Sequence, residues 1–250
     1  MAEKNILAIV EGARKEPQLL EQVFRTYRHE CQIYSYNANI YDLYDHFQRD
    51  YGKDFDEDLD DLDFLLFLEE HEPDAEKRKI FDNRFTDIIL IFDFDPQDDR
   101  FSEIKIRKMM SYFDNSTEQG RLYINYPMVE SVCHIKSFED DSYLDSIVKR
   151  SELGNYKERV NRESCCLDMT RYTKLEFSNI IKLNLRKTFK ILGLDINQNS
   201  KGDLCGPLMK VLEYQLTFLN SEGWFYILNT CLLYLYEYYG SKMITWLDAR

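Results

Sequence analysis

The chain has 250 residues, of which 44% are hydrophobic, so it can form one large or two small globular domains and is not disordered in composition. Its formal net charge of −13 argues against non-specific binding to nucleic acid. The charge is uneven, because residues 1–144 hold 17 Lys and Arg against 33 Asp and Glu, whereas residues 145–250 hold 15 against 12. A chain of this kind needs metal ions, a local basic patch or a partner if it acts on a polyanion.

The sequence shows no pattern typical of a membrane span, a signal peptide or a cysteine framework. No apolar stretch approaches the roughly 20 residues of a membrane-spanning helix, and residues 1–5 do not open a signal peptide. The six cysteines form no C-x-x-C pair and no regular framework. We therefore expect a reduced, cytoplasmic protein that does not associate with a membrane.

The first half of the chain alternates between strand and helix patterns. Strands are predicted at 5–10, 32–37, 88–92 and 120–127, and helices at 16–30, 40–52, 63–70 and 102–115. Residues 88–92 are continuously apolar, as in a central parallel strand covered on both faces. The acidic run at 54–63 is interpreted as a solvated loop or helix start. This order predicts an α/β domain over residues 1–140, with a mostly parallel sheet flanked by helices.

From about residue 140 the pattern becomes helical. Helices are predicted at 141–150, 174–192, 207–219 and 224–239, and a loop at 194–207. We therefore expect a mainly helical domain or subdomain over residues 141–250. The last predicted helix is apolar on nearly every side, which is typical of a buried helix or an interface. That helix and the acidity of the chain suggest that the protein binds a partner or forms a homodimer.

Two of the clearest predicted strands end in carboxylates. The first ends in V-E-G at Glu11, and the third ends in D-F-D-P-Q-D, which contains Asp93, Asp95 and Asp98. Parallel central strands would bring these acids to one rim of the sheet, where functional groups gather. Such a concentration of carboxylates requires a cation, and oxygen ligands of this kind suit Mg²⁺ or Mn²⁺. The alternative is an ordinary surface strand end for Glu11 and a loop start for the aspartates.

Two other interpretations fit the aspartates less well. An EF-hand loop starting at Asp93 fails, because its fifth and sixth positions hold Gln97 and Asp98 rather than an acid or Asn followed by Gly. A phosphatase with an aspartyl nucleophile also places D-x-D after an apolar strand. Its motif usually continues with Thr or Val near the domain start, whereas Pro96 follows here after a long preceding segment.

The pairing of a strand ending in Glu11-Gly12 with a later strand ending in Asp93-x-Asp95 resembles the Toprim domain of topoisomerases, primases and OLD-type nucleases. The resemblance covers roughly residues 5–130. It implies that Glu11 is a metal ligand or general acid/base and that Asp93 and Asp95 are metal ligands in phosphodiester chemistry. The V-E-G-x-x-x-E spacing also resembles OLD-like members, and this nominates Glu16, with Asp98 as a further candidate ligand.

The chain lacks a P-loop motif and primase-type zinc-finger cysteines, and it is too short for a topoisomerase. It looks similar to stand-alone Toprim effectors of anti-phage defence that work beside an ATPase partner, such as AbiL, PARIS and RloB-like proteins. The resemblance therefore implies a Mg²⁺-dependent nuclease that cleaves DNA or RNA, with tRNA among the candidate substrates. The alternatives are a non-catalytic Toprim-like regulatory or partner-binding subunit and, more weakly, a phosphotransfer enzyme.

Further residues near the predicted rim are secondary candidates. Glu130 follows the fourth strand and would line the site, although an acid at a helix N-terminus is common. Lys105 and Lys108 follow the D-x-D loop and would contact a nucleic-acid backbone, unless they belong to a solvated helix face. The segment 184–190 offers another small basic face, and His134 is more typical of a structural histidine.

Overall fold

The structure is a computed structural model that describes residues 5–51, 63–138, 141–194, 204–240 and 243. Most of the predicted acidic run at 54–63 and of the predicted loop at 194–207 lies outside these residues. Two compact units divide the chain: the first holds residues 1–91 and 102–122, and the second holds 92–101 and 123–250. This division differs from the single boundary predicted at residue 140, because the D-F-D loop and the end of the fourth predicted strand belong to the second unit.

The α/β architecture and the mostly parallel sheet are confirmed. In chain order, its elements to residue 125 are β1 (Asn5–Val10), α1 (Lys15–Tyr27), β2 (Glu30–Ser35), α2 (Ile40–Tyr51), α3 (Phe64–His71), α4 (Ala75–Arg78), β3 (Asp87–Asp93), α5 (Glu103–Tyr112), β4 (Asp114–Asn115) and β5 (Gly120–Asn125). The five strands form one sheet in the order β2-β1-β3-β5-β4. β1 pairs in parallel with both β2 and β3, and the short β4 is antiparallel to β5.

The elements form where the apolar patterns predict them. β1 and β3 are buried over nearly their whole length, as continuous apolar strands covered on both faces should be. α1 buries the predicted face, which consists of Leu19, Leu20, Val23, Phe24 and Tyr27. Ser102 caps α5 as predicted, its hydroxyl accepting a bond from the Lys105 N–H at 3.4 Å. Asp63, the last residue of the acidic run, caps α3 in the same way.

The later residues form a largely helical region with one small sheet. Its elements are β6 (Ile147–Lys149), α6 (Tyr156–Glu163), α7 (Lys174–Leu192), α8 (Cys205–Glu222), β7 (Trp224–Tyr226) and α9 (Leu233–Tyr239), with 3₁₀ turns at Val129–Cys133, Ser142–Asp145, Arg150–Asn155 and Met169–Arg171. β6 and β7 form an antiparallel pair. No described helix combines the length and apolarity needed to cross a bilayer.

Two predicted helices in this region are wrong. The helix predicted at 141–150 is a short 3₁₀ turn followed by β6, and the helix predicted at 224–239 is β7 followed by the shorter α9. In both segments the backbone forms the hydrogen bonds of the β6–β7 pair instead of those of a helix. Val148 lies opposite Phe225 in this pair, and both side chains are buried. The interpretation of the last helix as buried is confirmed for Leu233–Tyr236.

Candidate functional site

The V-E-G-x-x-x-E segment in the first unit forms a compact acidic turn at the end of β1. Val10 pairs with Ile91 of β3, and the Glu11 N–H donates to the Ile91 carbonyl at 3.2 Å, so the backbone of Glu11 continues the sheet. The Glu11 side chain is half-exposed. The chain then turns at Gly12 into α1, whose first turn carries Glu16.

Gly12 leaves room for the Glu16 carboxylate against the backbone. A Cβ placed on Gly12 would lie 2.8 Å from Glu16 Oε2, which is closer than real contacts allow. Glu16 is 7% exposed, so its carboxylate is held against the backbone beside Glu11. The structure therefore explains the motif spacing: it packs the second acid against the glycine that follows the first.

The D-F-D segment in the second unit is anchored by the phenylalanine between its two acids. Phe94 is fully buried and contacts the rings of Phe101, Tyr126 and Phe225 at centroid distances of 5.1–5.7 Å. Its N–H donates to the Asn125 carbonyl at 2.9 Å. Asp93 and Asp95 flank this anchor and are both half-buried, and Oδ1 of Asp93 is itself buried, while the ring holds the loop.

Asp95 lies in the left-handed region of the backbone map, with φ of 38°. Its N–H donates to the Pro127 carbonyl at 3.3 Å, and its carbonyl accepts from the Asp98 N–H at 3.1 Å. The strand geometry thus ends at Asp93, and a turn positions Asp95 instead. Left-handed conformations of non-glycine residues concentrate at functional sites, where the surrounding structure holds them in place.

Negative charge accumulates around Asp95. Burial and the nearby Asp98 raise the pKa of the Asp95 carboxyl, while a bond from Gln97 Nε2 at 2.9 Å and the charge of Lys157 partly offset the rise. Asp98 itself accepts bonds from the backbone and guanidinium of Arg100 at 2.8 and 3.2 Å. Two carboxylates that disfavour each other's ionisation form a group that a cation would stabilise.

Glu130 and Lys157 lie in the same part of the second unit as Asp95. Glu130 is 6% exposed and lies in the 3₁₀ turn Val129–Cys133. Lys157 Nζ is 3.4 Å from Glu130 Oε1, and the same ammonium offsets part of the rise in the pKa of Asp95. Lys157 therefore lies within electrostatic reach of both acids. Sequence reasoning missed this residue because α6, which carries it, gave no distinctive pattern.

Most of the predicted basic side chains form ion pairs with carboxylates or are buried. Lys105 Nζ lies 2.6 Å from Asp45 Oδ1, and Lys108 is half-buried. In the predicted basic face at 184–190, Lys187 is fully buried, and Arg186 and Lys190 pair with Asp141 and Asp145 at 2.7 and 2.6 Å. That segment is therefore not an open phosphate-binding face.

His134 has the structural role that the sequence favoured. Its ring is 3% exposed and lies between the Tyr156 hydroxyl at 3.0 Å and Glu163 Oε2 at 3.2 Å. Burial lowers the pKa of this histidine. The hydrogen bonds and positive charges around Glu163 lower the pKa of that carboxyl to about 2. This arrangement stabilises α6 against the 3₁₀ turn that carries Glu130.

The carboxylate oxygens of the candidate site residues suit Mg²⁺ in chemical type. Within the described ranges, however, no group of three or more His, Cys, Asp and Glu side chains is arranged to hold a metal ion. A common cation for Glu11, Asp93, Asp95 and Asp98 therefore stays a prediction.

Comparison with known proteins adds no relative: no family model, no curated protein and no solved structure matches this chain. The fold is that of an α/β protein in which Glu11 follows β1 and Asp93 ends β3. The resemblance to Toprim domains rests on the motifs alone.

Proposed function

We propose that the protein is a Mg²⁺-dependent nuclease of the Toprim type, in which Glu11, Asp93 and Asp95 share the cation. The observation that carries the proposal is topological. β1 and β3 are parallel neighbours whose register pairs Val10 with Ile91, and the chain places Glu11 directly after β1 and Asp93 at the end of β3. Acids at the ends of adjacent parallel strands are the usual way in which such sheets build a site.

The side chains have distinct roles in this proposal. Glu11, Asp93 and Asp95 would hold the metal, with Asp98, Glu16 and Glu130 supporting them. Bound Mg²⁺ supplies charge neutralisation at the phosphate and activation of a water. Lys157 would hold a phosphate oxygen beside the acids, since it is 66% exposed and already within reach of Glu130 and Asp95.

The biological setting that we propose is that of a toxic effector in anti-phage defence, working beside an ATPase partner. An acidic chain repels a polyanion such as nucleic acid. Bound metal ions or a basic partner would reduce this repulsion. The substrate would be DNA or RNA, and tRNA is one candidate.

A cleavage assay tests the proposal. Purified protein is incubated with labelled single-stranded DNA, duplex DNA and tRNA, with Mg²⁺ or with chelator. We expect Mg²⁺-dependent cleavage that Glu11→Gln and Asp93→Asn each abolish, while thermal unfolding shows that both variants are folded. Wild-type cleavage by both variants would refute the catalytic assignment.

A second candidate is a Toprim-like subunit that binds a partner or nucleic acid without cutting. It is favoured by the absence of a metal-holding cluster among the described side chains. In that case wild type would cleave none of the substrates, and Asp93→Asn would retain full partner binding and full defence in cells.

A further inference from the structure

Four aromatic side chains form a continuous group on the second unit, which we call the aromatic ladder: Tyr214, Phe218, Trp224 and Tyr226. The rings of Phe218 and Trp224 stack with centroids 4.6 Å apart and planes 14° apart. Tyr214 extends the stack from Phe218 at 6.4 Å and 26°. Tyr226 meets Phe218 and Trp224 edge-on at 5.7 and 5.3 Å.

The aromatic ladder is open to solvent, unlike the aromatic groups of the core. Tyr214 is 43% exposed, and the other three rings are partly exposed. Tyr214 and Phe218 lie one turn apart on α8, whereas Trp224 and Tyr226 share the outer face of β7, because Phe225 between them is fully buried. Only the solvent-exposed part of these rings, and not the faces stacked on each other, is accessible to a ligand.

Positive charge borders the aromatic ladder. Lys149 of β6 is exposed and lies opposite Trp224 in the register, so the two side chains are neighbours on the outer face. Lys210 is also exposed and precedes Tyr214 by one turn of α8. Residues 145–250 carry 15 Lys and Arg against 12 Asp and Glu, which contrasts with the acidic first half.

The same two-stranded sheet supports the acidic loop. On its inner face Phe225 packs against Phe94, the residue between Asp93 and Asp95, at a centroid distance of 5.2 Å. Arg150, which follows β6, donates from Nη2 to the Pro96 carbonyl at 3.1 Å. The outer face of this sheet therefore carries Trp224 and Tyr226 of the aromatic ladder, and its inner face holds the loop that is proposed to bind metal.

We propose that the aromatic ladder binds single-stranded nucleic acid by base stacking, with Lys149 and Lys210 contacting its phosphates. This deepens the proposed function and rests on it for the identity of the substrate. Stacking suits a single strand, whose base faces are accessible, and tolerates any sequence. It also supplies an attraction that does not depend on the net charge, which an acidic protein needs to retain a polyanion.

Binding is measured by tryptophan fluorescence in the presence of chelator, so that no cleavage occurs. The sequence contains one other tryptophan, Trp246, and Trp246→Phe makes Trp224 the sole reporter. A mixed-sequence single-stranded oligonucleotide should quench this signal, and adding Tyr214→Ala should raise the Kd on the order of tenfold. Tyr51→Ala is the matched control, since Tyr51 is 42% exposed and lies in the first unit; it should leave the Kd unchanged.

The charge contribution is tested separately. Lys149→Ala and Lys210→Ala should each weaken binding and reduce the slope of log K against log salt by about 0.7. Duplex DNA should bind more weakly than the single strand. An unchanged Kd in Tyr214→Ala, equal weakening by Tyr51→Ala, or equal quenching by a neutral oligosaccharide would overturn the proposal.

The outcome can be separated from that of the proposed function. Asp93→Asn should bind the oligonucleotide with the wild-type Kd in chelator while losing cleavage. Cleavage by the wild type, with an unchanged Kd in Tyr214→Ala, would contradict the aromatic ladder and leave the nuclease standing. Ladder-dependent binding without any Mg²⁺-dependent cleavage would instead contradict the nuclease.

Discussion

Asp95 combines a left-handed backbone with a carboxyl whose pKa is raised by burial and by Asp98. Because the folded-state pKa is raised, the folded chain binds this proton more tightly than the unfolded chain does. Stability from this group is therefore present below the ordinary carboxyl pKa and is lost as the pH rises from there through the raised pKa of Asp95. Binding of a cation would compensate for that loss.

Replacing Asp98 by Asn should lower the pKa of Asp95, since it removes the neighbouring charge and keeps an oxygen that can accept the bonds of Arg100. Carboxyl carbon shifts in an NMR titration measure the change. Asp99→Asn removes the same formal charge from an exposed position in the same loop and serves as the control. A pKa of Asp95 that rises in Asp98→Asn, or falls equally in both variants, would contradict the explanation.

Gly12 makes a second prediction at this scale. Gly12→Ala places a methyl group 2.8 Å from Glu16 Oε2, and the flexible carboxylate should turn away. We expect a loss of about 1 kcal/mol or less in unfolding free energy, but roughly tenfold weaker Mg²⁺ binding, because a support of the site is displaced. Urea unfolding and calorimetric titration measure the two quantities. Gly154→Ala is the control, as no atom lies near its added methyl group. Unchanged Mg²⁺ affinity in Gly12→Ala would separate Glu16 from the site.

The elements of the first unit follow from local patterns, whereas β6 and β7 of the second unit follow from their pairing. β1 and β3 are predictable because five consecutive apolar residues permit little besides a strand covered on both faces. Residues 224–226 resemble a helix locally, and their strand depends on β6, which lies some eighty residues earlier. A pattern within one segment cannot reveal such a partner.

The site divides in the same way. The acids Glu11, Asp93 and Asp95 were predictable, because each follows or ends a recognisable strand. Lys157 and the aromatic ladder were not, since they depend on how α6, α8 and β7 pack. A cation shared by these acids stays a prediction, because carboxylate oxygens indicate only which kind of metal ion would bind.

α7 contains a buried lysine whose removal should be costly. Lys187 is fully buried, and its Nζ donates to the carbonyls of Tyr143 and Ser146 at 2.7 Å and to the Ser146 hydroxyl at 2.8 Å. Burial lowers the pKa of this lysine, and the three acceptors match the three donor positions of its ammonium group. It thereby joins α7 to the segment that leads into β6.

Lys187→Met should therefore lower the unfolding free energy by about 2–3 kcal/mol, because two buried carbonyls lose their donor. Lys190→Met on the same helix removes a largely exposed ion pair with Asp145 and should cost about 1 kcal/mol or less. Urea unfolding compares the two variants. Equal losses would show that the three contacts of Lys187 do not stabilise the second unit.

At the scale of the whole molecule, charge is the main constraint on function. The acidic first half carries Glu11, and the slightly basic second half carries the aromatic ladder, so catalysis and strand binding would draw on different parts of the chain. The sequence also predicts that the chain binds a partner or forms a homodimer, and either would contribute further surface for binding the substrate. Size-exclusion chromatography with light scattering distinguishes a homodimer from a monomer.

The central claim is that Glu11, Asp93 and Asp95 hold one cation. Mn²⁺ binding followed by electron paramagnetic resonance tests it most directly, because it requires neither substrate nor partner. We predict one tight site in the wild type and in Asp99→Asn, and a Kd raised at least tenfold in both Glu11→Gln and Asp93→Asn. Wild-type Mn²⁺ binding in either folded variant would contradict a cation shared between the ends of β1 and β3.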